Sequence, residues 1–147
     1  MVRELLDGRD PAGRVGFTIL LLTTSGEGWP QVAMLSVGEV LAVDERRVRL
    51  ALWAGSGSTG NLARGRATLM LVVGPDTYYV RLRSRRLADL ALSSGPRACF
   101  EAEVEDVLVD VVGYATVTSG VTFRLNEPEQ VLPAWREAVA ALGALER

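Results

Sequence analysis

The chain of 147 residues contains no lysine, no histidine and a single cysteine. All 16 of its basic residues are therefore arginines. These absences exclude a Schiff-base lysine, a serine–histidine–aspartate triad, a cysteine–histidine pair, and any zinc site that needs histidine or several cysteines. We interpret Cys99, which lies between Ala98 and Phe100, as a buried apolar residue. If the protein is an enzyme, we expect a bound cofactor to carry its chemistry.

Long hydrophobic runs and an excess of positive charge are missing as well. Apolar runs such as 69–73 fall far below the ~18 residues that a membrane span needs, and no apolar signal region follows the first residues. The net charge of −2 argues against a nucleic-acid-binding protein. Together with 48% hydrophobic residues, these features predict one folded domain over residues 1–147, located in the cytoplasm and binding neither membrane nor nucleic acid.

The spacing of apolar residues predicts a mainly β protein. A buried strand over 15–24 is followed by a hairpin turn at 25–28. Further strands are predicted over 31–43 with a bend at Val37 and Gly38, and over 47–53, 67–73, 78–84, 100–111 and 121–125. Such a bend lets a small sheet close toward a barrel. The stretch 87–94 is compatible with either a helix or a strand.

Two helices are expected to flank the strands, over 2–7 and over 127–145. Asn126 is predicted to cap the second helix. Its apolar residues fall on one stripe, which we expect to cover the barrel or a partner subunit. The stripe consists of Val131, Leu132, Trp135, Val139, Leu142 and Leu145.

Alternating charges mark two of the predicted strands. Three glutamates are expected to face three arginines across a strand pair or a dimer seam, and a change of register near Glu105 and Asp106 predicts a β-bulge. The residues concerned are Arg81, Arg83 and Arg85 and Glu101, Glu103 and Glu105.

The stretch after the predicted strand 47–53 is suited to hold an anion. Glycines at 55, 57 and 60 let backbone N–H groups turn toward a ligand, and Ser56, Ser58 and Thr59 add hydroxyl donors. Residues 61–64 are predicted to form one or two helical turns whose free N–H groups point at the same place. The pattern therefore favours a phosphate, and a merely flexible connection is the alternative.

The same glycines match the dinucleotide-binding pattern G-x-G-x-x-G. We reject that interpretation because only about seven residues separate Gly60 from the next strand, which is too few for the crossover helix of a parallel βαβ unit.

Three segments together resemble the FMN-binding split β-barrel family, the pyridoxamine 5′-phosphate oxidase-like proteins. The segments are GWPQVAMLS at 28–36, RVRLALW at 47–53 and SGSTGNL at 56–62. The resemblance covers about residues 15–125 and implies a six- to seven-stranded antiparallel split β-barrel with flanking helices and a C-terminal amphipathic helix. It also implies a homodimer with FMN sites between the protomers and an oxidoreductase activity on an unknown small molecule.

The resemblance implies which residues hold the cofactor, while the catalytic residues stay unknown. Ser56, Ser58, Thr59 and Asn61 would hold the FMN phosphate, with Gly57 and Gly60 allowing its close approach. The backbone of Val32, Ala33, Met34, Leu35 and Ser36 would lie along the ribityl chain and the flavin edge, with Trp53 and Ala54 beside the ring. For Trp53 the alternative is a core tryptophan, and for Asn61 it is a helix cap.

This loop lacks the lysine or arginine that many members of the family carry there. A missing charge-assisted hydrogen bond costs about 1.5–3 kcal/mol, and Arg64 or Arg66 is the expected compensation. The alternatives to an FMN enzyme are a deazaflavin-dependent reductase, a non-catalytic flavin- or haem-binding module, and a barrel without a cofactor.

Overall fold

The computed structural model describes residues 2–146 and shows a curled antiparallel sheet of eight strands with a helix at each end of the chain. The strands are β1 (Ile19–Thr24), β2 (Pro30–Leu35), β3 (Val40–Ala42), β4 (Arg47–Trp53), β5 (Arg66–Val73), β6 (Asp76–Arg86), β7 (Leu90–Leu92) and β8 (Gly95–Asp110). The helices are α1 (Val2–Leu5), α2 (Gly57–Leu62) and α3 (Pro128–Ala144), with a 3-10 turn at Pro11–Arg14.

The order of the strands explains why the sheet curls. Hydrogen bonding follows the path β2-β1-β5-β6-β8-β4-β3, with β7 paired to β8. β2 and β3 therefore lie at opposite ends of the path, although only the turn from Ser36 to Glu39 separates them in the chain. Because so short a connection cannot span a flat sheet, the two ends must approach each other. The predicted split barrel is confirmed.

The interior of the curl is filled by inward-facing residues of every long strand. Leu21, Leu50, Leu69, Leu82 and Phe100 are each at most 2% exposed. Leu69 and Leu82 alternate with more exposed neighbours, the two-residue period of a half-buried strand, whereas Arg49 and Ala51 on either side of Leu50 are buried as well.

The interior packing continues onto α3, whose apolar stripe was predicted to cover the barrel. Trp135 belongs to the main core, and Leu142 packs in a second cluster with Cys99. Burial raises the pKa of the Cys99 thiol to about 11, as expected for a residue that serves as a small apolar side chain.

A buried arginine ties the carboxyl end of α3 to the sheet. The Arg49 guanidinium is 1% exposed, and its Nη1 donates to the carbonyl oxygens of Leu142 at 2.8 Å and Leu145 at 3.1 Å. Its Nε donates to Glu101 Oε2 at 3.0 Å. These bonds satisfy carbonyls that a helix end leaves unpaired.

The predicted pairing of acidic and basic residues is found within the sheet. Arg85 contacts Glu101 at 2.8 Å and Arg83 contacts Glu105 at 2.5 Å, while Arg81 contacts Asp106 instead of a glutamate. The register of β6 and β8 shifts between Arg81 and Leu82 so that Glu105 is passed over, which confirms the predicted bulge.

Several predicted boundaries were wrong. The sheet has eight strands instead of six or seven because residues 31–43 form two strands and β7 lies within the undecided stretch 87–94. Residues 121–125 were predicted as a strand, but they are irregular, and Phe123 packs on Trp135 of α3. The N-cap of α3 is Glu127 instead of Asn126, and its side chain makes no capping bond.

Candidate cofactor site

The predicted phosphate loop folds into a short helix that begins earlier than expected. α2 starts at Gly57 instead of residue 61, and Ser56 is its N-cap. Ser56 Oγ accepts a hydrogen bond from Thr59 N at 3.1 Å, and Thr59 Oγ1 donates to the Trp53 carbonyl at 2.7 Å. The Thr59 hydroxyl therefore fastens α2 to the end of β4, and its side chain is buried.

A second set of hydrogen bonds joins α2 to the β1–β2 hairpin. Asn61 Nδ2 donates to Gln31 Oε1 at 3.0 Å and to Thr23 Oγ1 at 3.1 Å. Gln31 Nε2 in turn donates to Ser58 Oγ at 3.5 Å. The alternative of Asn61 as a helix-start cap is wrong, because Ser56 occupies that position.

Six of the 13 predicted cofactor residues line one cavity of about 160 Å³. Its lining includes Ala33, Met34, Leu35, Trp53, Ser56 and Ser58 from the predicted set, together with Glu39, Ala51, Leu52 and Arg97. Three segments that are distant in the sequence therefore meet here: the end of β2, the end of β4 and the start of α2.

The other predicted residues lie outside this lining. Ser36 lines a neighbouring cavity, and Thr59 is buried in the turn. The rest of the predicted set does not line the 160 Å³ cavity: Val32, Ala54, Gly57, Gly60 and Asn61.

Trp53 is not a core residue, because 57% of it is exposed. The Arg97 guanidinium lies over its ring, with Cζ 3.3 Å from the centroid. The two residues are direct partners in the β4–β8 register. Stacking and hydrogen bonds from Arg97 Nη1 to the Gly95 carbonyl and from Nη2 to Ser94 Oγ hold the guanidinium at the cavity.

Sequence reasoning missed Arg97 and looked to Arg64 or Arg66 for a cation. Arg97 lines the cavity, and neither of the other two does. Arg64 extends toward the β1–β2 hairpin, where its Nη1 lies 2.8 Å from the position of a Cβ built on Gly26. Burial lowers the pKa of Arg97, while the charges of Glu39 and Glu137 act in the opposite direction. Arg97 could be identified only from the pairing of β8 with β4, which places it opposite Trp53.

Glu39 is the second functional candidate that the sequence did not reveal. It lies in the turn between β2 and β3, where its Oε2 accepts a hydrogen bond from Ser36 N at 3.2 Å. Burial raises the pKa of its carboxyl to about 7, against the lowering effects of the Ser36 N–H and of Arg97. Near neutral pH this side chain can therefore hold or release a proton.

A second cavity of about 360 Å³ adjoins the first. Met34, Leu35 and Glu39 line both. The remaining walls come from Thr18, Ser36, residues 121–125 and the first turns of α3.

A third cavity, of about 740 Å³, lies away from these residues. Its lining mixes acidic and basic groups that pair with each other, such as Arg47 with Asp44 and Arg85 with Glu101. We therefore place the candidate site at the smaller cavities.

Within residues 2–146 no helix is long and apolar enough to cross a bilayer. The same residues include no cluster of acidic or cysteine side chains that could ligate a metal ion.

Comparison with known proteins gives one related sequence and several related folds. The chain is 35% identical over 140 residues to the uncharacterized protein YclD of Bacillus subtilis, which covers 95% of this chain and 91% of YclD. No protein-family model matches the chain.

Among solved structures, an FMN-binding protein from Syntrophomonas wolfei is similar with a TM-score of 0.51 at 17% identity, over 75% of this chain and 88% of that one. A putative pyridoxamine 5′-phosphate oxidase from Lactobacillus delbrueckii has a TM-score of 0.56 at 16% identity, over 74% and 93% of the two chains. HupZ of Group A Streptococcus has a TM-score of 0.57 at 11% identity, over 80% and 95%. At these identities the likeness establishes the fold.

Proposed function

We propose that this chain, which belongs to the same family as Bacillus subtilis YclD and has the fold of the FMN-binding split β-barrel proteins, binds FMN as a homodimer and acts as a flavin-dependent oxidoreductase on a small molecule. The observation that carries the proposal is the convergence of β2, the end of β4 and the start of α2 on one cavity. These are the three segments by which the sequence resembles flavin-binding split barrels.

The residues at this cavity fit the chemistry of FMN. The phosphate needs hydroxyl donors and a cation, which Ser56, Ser58 and Arg97 supply. β2 is the end strand of the sheet path, so part of its backbone N–H and C=O groups has no strand partner on the outer edge. Such groups suit the polar edge of a flavin ring, and Trp53 offers an aromatic face beside it.

Arg97 would supply the positive charge that the phosphate loop lacks. It approaches from β8 instead of from the loop itself, and its stacking on Trp53 limits its motion. A guanidinium that is already positioned loses less conformational entropy when it binds a phosphate.

The volume of the cavity supports a site shared between protomers. About 160 Å³ is well below the roughly 300–1,000 Å³ of a typical ligand pocket. We therefore propose that a second copy of the chain provides the missing wall, as the resemblance to the family implies.

Bound FMN would supply the electron transfer, and this chain would supply binding, orientation and a proton. Glu39 lines both cavities, so it can exchange a proton with a molecule in either one. The cavity walls of Ala33, Leu35 and Leu52 would exclude water from the reacting groups.

The experiment is a titration of the purified, cofactor-free protein with FMN. Binding is measured by the quenching of flavin fluorescence and by the flavin absorbance that the protein retains after dialysis. We expect saturable binding with one FMN per chain. Arg97→Gln should weaken it by roughly tenfold to a hundredfold, the loss of one hydrogen bond to a charged group. Arg64→Gln is the matched control and should leave the affinity unchanged.

A wild-type protein that fails to retain FMN would contradict the proposal. Retention of a deazaflavin in the same assay would then favour the reductase alternative, and retention of neither would favour a barrel without a cofactor. Equal effects of Arg97→Gln and Arg64→Gln would remove Arg97 from the phosphate site.

A further inference from the structure

The 360 Å³ cavity beside the proposed cofactor site has mainly apolar walls. Leu35, Phe123, Val131 and Trp135 are among the apolar residues that line it. Phe123 and Trp135 meet edge to face, with ring centroids 6.3 Å apart and planes at 80°. A cavity with such walls prefers a flat or compact ring to a charged group.

Two glycines allow these walls to approach each other. Gly16 has a φ of +93°, and a Cβ built on it would lie 2.8 Å from the carbonyl oxygen of Phe123. A Cβ on Gly38 would overlap the Trp135 ring. The irregular segment 121–125 therefore packs closely on the chain at Gly16, and the Trp135 ring of α3 packs closely on the β2–β3 turn at Gly38.

Beside the cavity lies a buried hydroxyl whose hydrogen-bonding capacity is unused. Thr18 is 8% exposed, and within residues 2–146 its Oγ1 makes no hydrogen bond. Proteins rarely bury a hydroxyl in this way, because the group loses its hydrogen bonds to water without replacement. Because Oγ1 itself is inaccessible, a rotation about the Thr18 χ1 bond would have to turn it toward the cavity, where a ligand oxygen that accepts its hydrogen bond would remove this cost.

The charges around the cavity disfavour an ionic ligand. Glu39 is the one titratable residue in its lining, and no arginine lines it. An anion would lie near this carboxyl without a cation to balance it. A cation would compete with Arg97, which already faces Glu39 from β8.

From these observations we infer that the cavity binds an uncharged, mainly apolar ring compound with a hydrogen-bond-accepting oxygen such as a ketone, with Thr18 as the hydroxyl donor. Identifying this ligand as the substrate rests on the proposed function, because the shared residues Met34, Leu35 and Glu39 would place it beside the flavin. The binding itself needs no cofactor.

The test uses three bicyclic probes of similar size and different charge: indanone, indane carboxylate and aminoindane. Binding of each to the cofactor-free full-length protein at neutral pH is measured by ligand-observed NMR and isothermal titration calorimetry. We expect indanone to bind saturably, and each charged analogue to bind at least about tenfold more weakly.

Thr18→Val is the diagnostic variant because it removes the hydroxyl and keeps the side-chain shape. It should weaken indanone binding by about threefold to tenfold while leaving the melting temperature unchanged or higher, since the unpartnered group is lost. Thr77→Val is the matched control: Thr77 is also 8% exposed, and it lies outside the cavity lining. If the Thr18 hydroxyl had only a structural role, its removal in Thr18→Val would lower the melting temperature instead.

Absence of indanone binding, preference for either charged analogue, or equal effects of the two valine variants would overturn the inference. FMN titration of the same samples separates the two proposals. A protein that binds FMN but no indanone retains the proposed function alone, and one that binds indanone but no flavin retains this cavity assignment without a substrate role.

Discussion

Glu39 is the residue whose chemistry depends most on its surroundings. Its carboxyl is placed in the β2–β3 turn by the hydrogen bond from Ser36 N, and burial raises its pKa from 4.5 to about 7. The folded protein therefore holds a proton on Glu39 over a range in which the unfolded chain has released it.

This difference predicts a pH dependence of stability. Because the folded-state pKa is raised, the folded protein binds more protons than the unfolded chain between pH 4.5 and about 7, so stability should fall as the pH rises through that window. The loss attributable to Glu39 is at most about 3–4 kcal/mol, since each pKa unit corresponds to about 1.4 kcal/mol. Urea unfolding at pH 5 and at pH 8 is the measurement.

In Glu39→Gln the fall in stability between these pH values should be smaller than in the wild type. Glu45→Gln provides the comparison, because the Glu45 side chain is 85% exposed. The interpretation of Glu39 as a protonated group would be wrong if the wild type and Glu39→Gln lost equal stability.

At the scale of elements, the contact between the β2–β3 turn and α3 organises both cavities. Gly38 lies in that turn, and a side chain there would overlap Trp135, a core residue that also lines the larger cavity. α3 is held at its other end by Arg49. The helix therefore has little freedom to move away from the turn.

A pair of glycine substitutions tests this packing. Gly38→Ala should destabilise the protein by about 1–3 kcal/mol, the usual result of overpacking a core. Gly143→Ala should instead raise the free energy of unfolding by about 0.5–1 kcal/mol, because alanine is a better helix former than glycine. Gly143 lies near the end of α3, and its Cβ would make an ordinary contact of 3.7 Å with Leu41.

Denaturant unfolding of the two variants gives both free energies. A stable Gly38→Ala protein would mean that Trp135 can move, and that the cavity wall is more adaptable than the structure indicates.

At the scale of the whole molecule, exposed apolar side chains lie at the proposed cofactor cavity and on the elements that form it. Trp29, Val32, Met34 and Trp53 are each more than half exposed. They come from the β1–β2 turn, β2 and the end of β4. Exposed apolar side chains often mark an interface, and two of these four, Met34 and Trp53, line a cavity that is too small for FMN by itself. Both observations favour a second protomer at this place.

The dimer proposal predicts that Val32→Asp produces monomers, because it would bury an unpaired charge in the interface. The affinity for FMN should fall at least about tenfold in the same variant, since the site would lose its second wall. Sedimentation velocity and FMN titration provide the two measurements.

Val109→Asp is the matched control, since Val109 is 55% exposed against 56% for Val32 and lies at the far end of β8. A monomeric Val109→Asp with a dimeric Val32→Asp would move the interface to β8. A wild type that sediments as a monomer at every concentration would exclude the homodimer.

Local patterns were sufficient for the long strands, for α3 and for part of the cavity lining. Alternation of apolar residues identified the long strands, and the order of the three resembling segments identified the split barrel. Ala33, Met34, Leu35, Trp53, Ser56 and Ser58 were chosen in this way and line one cavity. Periodicity and turn chemistry act between near neighbours in the chain, so a sequence expresses them directly.

Features that depend on contacts between distant residues emerged only from the tertiary structure. Arg97 is part of the site because β8 pairs with β4 and places it over Trp53. The shifted pKa of Glu39 arises from burial by elements that are remote in the chain. Residues 121–125 have the composition of a strand, yet they pack on α3 because that contact buries Phe123 against Trp135. Strand pairing, burial and competition between packing partners are properties of the whole folded chain, and no local pattern encodes them.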